Sequence, residues 1–509
     1  MLVLRFLVAS VGSEHAPRWQ GQPPWRTPSP GLLRFLRLLP FGVRIGDGIA
    51  GAAARVHALF ADGSDSSLVR RLAGAAFLIR VVSAAIAFVS QILLARWMGG
   101  FQFGIYVYAA TWVLLIGGMV DLGLGSAAQR FIPEYTEHRR WALLRGFLGG
   151  SRFLALSIAS AVAAAGAIAV KLLAAHIDPQ TVVPLYLSCA CLPMFALMSV
   201  QSGIARSYHW VNLGLAPSYV LRQLVLLVLM GLAYALGLPT DAITATFVAV
   251  IALLSVGAGQ WLVLNRRLHG VVAGGPKAYA AKAWLATSMP ISLVEAFYLL
   301  LTYSDIIVLQ QFRPADEVAI YYAAAKTLAL VAFIYYSVAQ TIAHKFAEYD
   351  VAGDHDRLAT FLRQAVRLTF WPSLGAIVVL LVFGEPLLRL FGRGFVSGYY
   401  LMFIIAVGLL ARASVGPAER LLNMLGERRS CALVYGGSFA ISLALCVALI
   451  PWLGIAGAAI ANAVALVFES AALFLIAKYR LGFHCFIFGG GKSGGGKIGA
   501  ANSVGDANA

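Results

Sequence analysis

The chain has 509 residues, 60% hydrophobic and only 12% charged, with net charge +17 and mean hydropathy +0.81. Soluble domains carry about 25% charged residues, so this composition excludes an ordinary soluble protein and implies a polytopic membrane protein. The positive charge is spread over an N-terminal extension and alternate loops, which argues against nucleic-acid binding.

Residues 1–67 hold Pro17, Pro23, Pro24, Pro28, Pro30 and Pro40 among scattered arginines. They read as a cytosolic basic, proline-rich extension. Its stretch Leu32 to Phe60, with Arg34, Arg37, Arg44 and Arg55, has the pattern of a basic amphipathic helix for a membrane surface. A mis-assigned start, with a native chain beginning near Leu68, fits equally well.

From Leu72 onward, apolar runs of roughly 20 residues, enough to cross a bilayer, recur almost to Ala477. Twelve crossings are expected, near 72–97, 103–127, 147–172, 182–205, 212–237, 242–264, 283–311, 317–341, 366–385, 398–420, 430–450 and 454–477. They divide into a first six-helix lobe (68–268), a connector (269–282) and a second lobe (283–481). A flexible glycine-rich tail (482–509) follows. Lysine and arginine concentrate on one side, in Arg70–Arg71, Arg130, Arg139, Arg140, Arg145, Arg206, Arg266–Arg267, Lys277, Lys282, Lys345, Arg357, Arg363, Arg428–Arg429, Lys478 and Arg480. The opposite loops hold Arg96, Lys171, Arg313, Arg389 and Arg393. This bias places both termini in the cytosol.

The halves echo each other. Gly104-Ile105-Tyr106, Ala109-Ala110 and Arg130-Phe131 recur as Ala319-Ile320-Tyr321, Ala324-Ala325 and Lys345-Phe346, always 215 residues later. Two like-ordered bundles of six are related by a pseudo-twofold axis along the membrane normal, an arrangement that suits a transporter whose halves rock about a central site.

A charge inside a bilayer costs at least about 2.5 kcal/mol on insertion scales, so those that remain mark cavities or partners. Three polar stripes qualify. The first crossing carries Arg80 and Gln91, flanked by Ser83 and Ser90. The seventh carries Ser292, Glu295, Tyr298, Thr302 and Asp305 on one side of a helix, after Pro290. The eighth carries Tyr322, Lys326, Ser337 and Gln340. Together they predict one aqueous cavity between the lobes, with polar glue between packed helices as the competing reading. The repeat makes Arg80 and Glu295 equivalent, which raises the hypothesis of an ion pair across the axis. Arg222 suits either a cavity or the inner interface, while Asp121 fits a turn or cap before Leu122-Gly123-Leu124-Gly125. Arg412 and Glu469 lie deep without an assigned role.

No enzyme is expected. The histidines show no metal-ligand spacing, no Ser–His–Asp arrangement is evident, no cofactor or metal site is indicated, and the five cysteines form no framework.

Leu94-Ala95-Arg96-Trp97-Met98-Gly99, Phe103-Gly104-Ile105-Tyr106, Asp121-Leu122-Gly123-Leu124-Gly125 and Arg130-Phe131 resemble the first two spans of the polysaccharide flippases. These form the O-antigen and exopolysaccharide branch of the multidrug/oligosaccharidyl-lipid/polysaccharide exporter superfamily. Tyr303-Ser304-Asp305 with Ala319 to Ala324 looks like that branch's seventh and eighth spans. Leu421 to Gly426 and Gly454 to Ala459 look like its late signatures.

The resemblance implies two lobes in a V, opening alternately to cytosol and periplasm of a bacterial inner membrane. It implies a cargo of oligosaccharide on polyprenyl pyrophosphate, with membrane lipids and polysaccharide polymerase or export machinery as partners. Cationic side chains suit such a headgroup, and Arg80, Lys326 and Arg222 are the candidates. Asp305 looks like the acid often found in the family's seventh span. The alternative is a cation-coupled multidrug exporter of the same superfamily, which would need an acidic site within one lobe.

Overall fold

The computed structural model describes residues 65–351 and 354–488. The expectations for residues 1–64 and for the tail beyond Phe488 lie outside the described residues.

Among the described residues every regular element is a helix. The first, α1 (Asp65–Val120), is broken at Gly99, whose φ of +76° and ψ of 167° suit a residue without a Cβ. The apolar run from Val81 to Glu137 covers 57 residues. At 1.5 Å per residue it is roughly 85 Å long, more than twice a hydrocarbon core of about 30 Å. It therefore crosses twice, turning at Gly99. The second crossing continues past a break at Leu122 and Gly123 into α2 (Leu124–Glu137). The Asp121 carboxylate stabilises that break by accepting from the N–H groups of Gly123 (3.0 Å) and Gly125 (3.4 Å) and from Ser199 Oγ (2.7 Å). Asp121 is thus a cap.

The first lobe continues with α3 (Trp141–Leu173), α4 (Pro179–Ser207) and α5 (Val211–Ala216). A π-helical turn (Pro217–Leu221), α6 (Arg222–Ala235) and α7 (Ala242–Val271) complete it. Asp178 and Asp241 cap α4 and α7, accepting from the N–H groups of Gln180 and Thr244, each at 2.8 Å. The second lobe begins with α8 (Ala281–Phe312), which runs unbroken through Pro290, and α9 (Ala315–Leu328). A 3₁₀ turn (Ala329–Val331) leads into α10 (Ala332–Val351). Then come α11 (His355–Val382), α12 (Gly384–Phe391), α13 (Tyr399–Val415), α14 (Ala418–Met424), α15 (Arg428–Leu453) and α16 (Ile455–Leu481). Among the described residues, eleven long apolar segments, the first counted twice, give the twelve crossings expected. The short α12 was not anticipated.

Where the core sits explains how the lobes are held. On the face away from the connector, one apolar cluster spans both lobes, packing Leu94, Phe103 and Val107 with Val318, Leu388 and Phe391. Gly104 makes this approach possible, because a Cβ there would sit 1.7 Å from the Ala315 carbonyl oxygen. Arg96 adds polar contacts, donating to the carbonyls of Leu390 (2.5 Å) and Arg389 (3.2 Å), while Gln311 donates to Tyr108 Oη at 3.1 Å. On the connector face the lobes keep separate clusters apart from the start of α8, which packs into that of the first lobe. One packs Leu124, Phe131 and Phe147 with Leu264 and Trp284, and the other packs Phe346, Leu362 and Leu421 with Cys431. A core shared at one face and divided at the other defines lobes joined on the far side.

Helix α8 links the two. Trp284, at its start, packs edge-on against Phe147 and donates to Tyr135 Oη at 3.0 Å, both in the first lobe. Its later residues Leu301 and Phe297 pack with Tyr435 of α15.

Candidate functional site

A cavity of about 570 Å³ lies among α1, α8, α9, α10, α13 and α16. Gln91, Tyr298, Asp305 and Lys326 line it, so three stripes on separate helices meet at one void. Thr302, Tyr322 and Phe88 line it as well.

Lys326 sits half-buried with its Nζ 5.2 Å from the ring centroid of Tyr322 and 5.9 Å from that of Tyr303. Among the described residues no carboxylate oxygen lies within 4 Å of it. Its charge is therefore supported by two aromatic faces, each worth about 0.5–2 kcal/mol, and faces the void. Asp305 is buried and fully engaged. Its Oδ2 accepts from Tyr321 Oη at 2.5 Å and Asn462 Nδ2 at 3.2 Å, and its Oδ1 accepts from the Ile306 N–H at 2.8 Å. That carboxylate ties α8 to α9 and α16.

Two lining residues lacked an assigned role in the sequence. Arg412 of α13 reaches the cavity with its Nε 3.6 Å from Glu469 Oε1 and its guanidinium carbon 5.0 Å from the Tyr335 ring. Asn462, a lone amide in the alanine-rich run of α16, also lines the void. Its signal was an amide in an otherwise apolar span, which lipid does not tolerate cheaply.

Other candidates lie elsewhere. The α8 stripe divides: Tyr298, Thr302 and Asp305 face the cavity, whereas Ser292 and Glu295 face the first lobe. There Ser126 Oγ donates to Glu295 Oε1 at 3.1 Å, and Gly123 packs against Ser288 and Ser292. Glu295 is exposed and does not line the cavity. Arg222 lines a smaller chamber of the first lobe, 5.7 Å from the Phe195 ring. Among the described residues of α10 the polar side chain that lines the cavity is Tyr336, hydroxyl-to-hydroxyl with Tyr298 at 2.5 Å, and not Ser337. The side chains of Arg80 and Gln340 lie outside the described residues, and with Arg80 the hypothesised pair with Glu295.

A cavity with Lys326 and Arg412 on its wall, tyrosine hydroxyls around them and a sequestered acid is chemically suited to an anionic, hydroxyl-rich molecule. No group of three or more potential metal-ligating side chains occurs among the described residues.

Two six-helix lobes, with a polar cavity walled by five helices of the second and by α1 of the first rather than evenly between them, define the class: a multi-pass membrane protein with a transporter fold. It is similar to an inward-facing multidrug resistance MATE family transporter of the MOP superfamily, at TM-score 0.65 and 13% identity over 80% of this chain and 98% of that one. It is similar to the lipid II flippase MurJ in an inward closed conformation, at 0.59 and 14% over 78% and 87%. A MOP superfamily transporter from Pyrococcus furiosus, described by a reversed binding-pocket polarity, matches at 0.58 and 13% over 80% and 95%. No curated protein matches the sequence. The family described as polysaccharide biosynthesis protein matches residues 70–343, just over half of the chain, and the chain belongs to that family.

Proposed function

We propose that the protein is a flippase carrying a polyprenyl-pyrophosphate-linked oligosaccharide across the bacterial inner membrane by alternating access. The observation that carries this reading is Lys326, a cation on the wall of a membrane cavity with no carboxylate within 4 Å among the described residues. Its burial cost is offset when an anion enters.

Lys326 and Arg412 take the diphosphate, while Gln91, Tyr298, Thr302 and Asn462 meet sugar hydroxyls. Asp305 positions Tyr321 and Asn462. The lobes 68–268 and 283–481 move as units on the connector 269–282, with the connector face and both termini in the cytosol. Entry from that face precedes parting of the far-face cluster. Polymerase or export machinery then receives the product outside.

Drug extrusion needs an acid free to hold a cation. Both Asp305 oxygens are occupied by donors, which favours the anionic cargo.

Deleting the gene tests the proposal: lipid-linked oligosaccharide should accumulate on the cytosolic side, and wild-type protein should clear it. Unchanged lipid-linked sugars, with altered resistance to cationic drugs, would overturn it.

A further inference from the structure

A second chamber of about 110 Å³ adjoins the main cavity within the first lobe, and Gln91 and Tyr322 line both. Its wall carries Arg222 and Gln223, the two residues that follow the π-helical turn Pro217–Leu221. Such turns inside α-helices occur often at functional sites. Among the described residues Arg222 makes no ion pair and donates no hydrogen bond, and its guanidinium lies 5.7 Å from the Phe195 ring. The Gln223 amide nitrogen and the Gln91 amide oxygen are buried without partners. Among the described residues lining the chamber, none is acidic.

A buried amide donor that lacks an acceptor is costly, and so is a half-buried guanidinium held within a membrane segment without an anion. Side by side in a chamber with room for several water-sized groups, they make an acceptor the missing component. A cation is disfavoured by Arg222 itself. The glutamine amide of Gln91 can present its nitrogen as readily as its oxygen, since the two ends are interchangeable by rotation.

We propose that this chamber is an anion site for one phosphate-type oxyanion, held by the Arg222 guanidinium and the Gln223 amide, with Gln91 completing it. The oxyanion comes either from free phosphate or from a lipid phosphate headgroup reaching through the shared wall at Gln91. The site does not depend on the transport reading, because binding is measured without transport.

The test is calorimetric titration of the purified full-length protein in detergent at constant ionic strength. The probes are inorganic phosphate and a short-chain polyprenyl monophosphate lacking sugar. At least one binds the wild type, and its affinity falls about tenfold or more in Arg222→Gln, with a smaller fall in Gln223→Leu. Binding of inorganic phosphate assigns the free anion, whereas binding of the lipid phosphate alone assigns the headgroup. If Arg222→Gln does not yield folded protein, Gln223→Leu decides. No binding of either probe, equal affinity in the wild type and the variants, or loss in Lys326→Gln but not in Arg222→Gln or Gln223→Leu overturns the proposal.

Discussion

Arg412 Nε lies 3.6 Å from Glu469 Oε1, joining α13 to α16, while the second carboxylate oxygen of Glu469 is buried without a partner. Glu469 is 1% exposed, so Arg412 is the group that keeps its charge tolerable. Removing one member of such a pair strands the other, at a cost of about 3–5 kcal/mol, whereas removing both is often neutral. Arg412→Ala should therefore lower the unfolding temperature in detergent sharply, and Arg412→Met with Glu469→Leu should recover most of it. A double variant as unstable as the single one would show that Arg412 stabilises the lobe in another way.

Lys326 has no such structural client. Its Nζ rests on the faces of Tyr303 and Tyr322 and points into the cavity. A hydrogen bond to a charged group is worth about 1.5–3 kcal/mol, so Lys326→Ala should reduce export roughly tenfold or more while membrane abundance and thermal stability hold. Lys326→Arg should retain part of the activity. Quantifying exported polysaccharide against protein in isolated membranes checks both, and full export by Lys326→Ala removes this residue from the site.

How much of this was legible depended on whether one helix sufficed to read it. The twelve crossings were, because roughly 20 apolar residues in a row have few alternatives. Gln91, Tyr298, Asp305 and Lys326 stood out because polar groups in lipid are costly wherever the helix lies. Asn462 carried the same signal more weakly. What Arg412 faces was not legible, since its partner Glu469 belongs to another helix and only packing brings them together. The α8 stripe revealed one side of a helix but not that α8 leans from one lobe to the other, which takes Glu295 to Ser126. On the eighth crossing the 3₁₀ turn Ala329–Val331 winds at 3.0 residues per turn. It shifts the later phase, so Tyr336 replaces Ser337 at the void. The helix α12 merged with the apolar end of the ninth crossing, which hid its start at Gly384.

On the connector face, Ser430 Oγ donates to Glu427 Oε2, and Arg480 Nη1 lies 2.9 Å from the same oxygen. The Ser430 hydrogen bond first, and the Arg480 contacts after it, outweigh the opposing effect of burial and hold the Glu427 carboxyl below the usual glutamate range. A group whose folded pKa is depressed contributes stability above its unfolded pKa and loses it as pH falls through the folded value. Glu427→Gln should thus be modestly less stable than wild type at neutral pH, with the difference vanishing in acid. Melting curves of the two proteins from pH 7 downward check this. A gap that stays constant with pH would exclude the linkage.

The far-face closure rests on backbone contact at Gly104. A methyl group there would meet the Ala315 carbonyl oxygen at 1.7 Å and its carbonyl carbon at 2.5 Å, distances that no rotamer change relieves because both partners are main chain. The second crossing and α9 must separate for any larger residue to fit, and overpacking of this kind costs about 1–3 kcal/mol. The cost falls on the joined state alone, since lobes parted at the far face leave space for the methyl. Gly104→Ala should therefore shift the population toward far-face opening, and Arg96→Gln, which loses the bonds to Leu390 and Arg389, should shift it less. Spin labels placed through Lys171→Cys and Arg393→Cys, exposed positions on the two lobes, report the separation. A longer-distance population in Gly104→Ala is the expected result, and a distribution identical to wild type would mean that the cluster around Phe103 and Phe391 absorbs the methyl without parting the lobes.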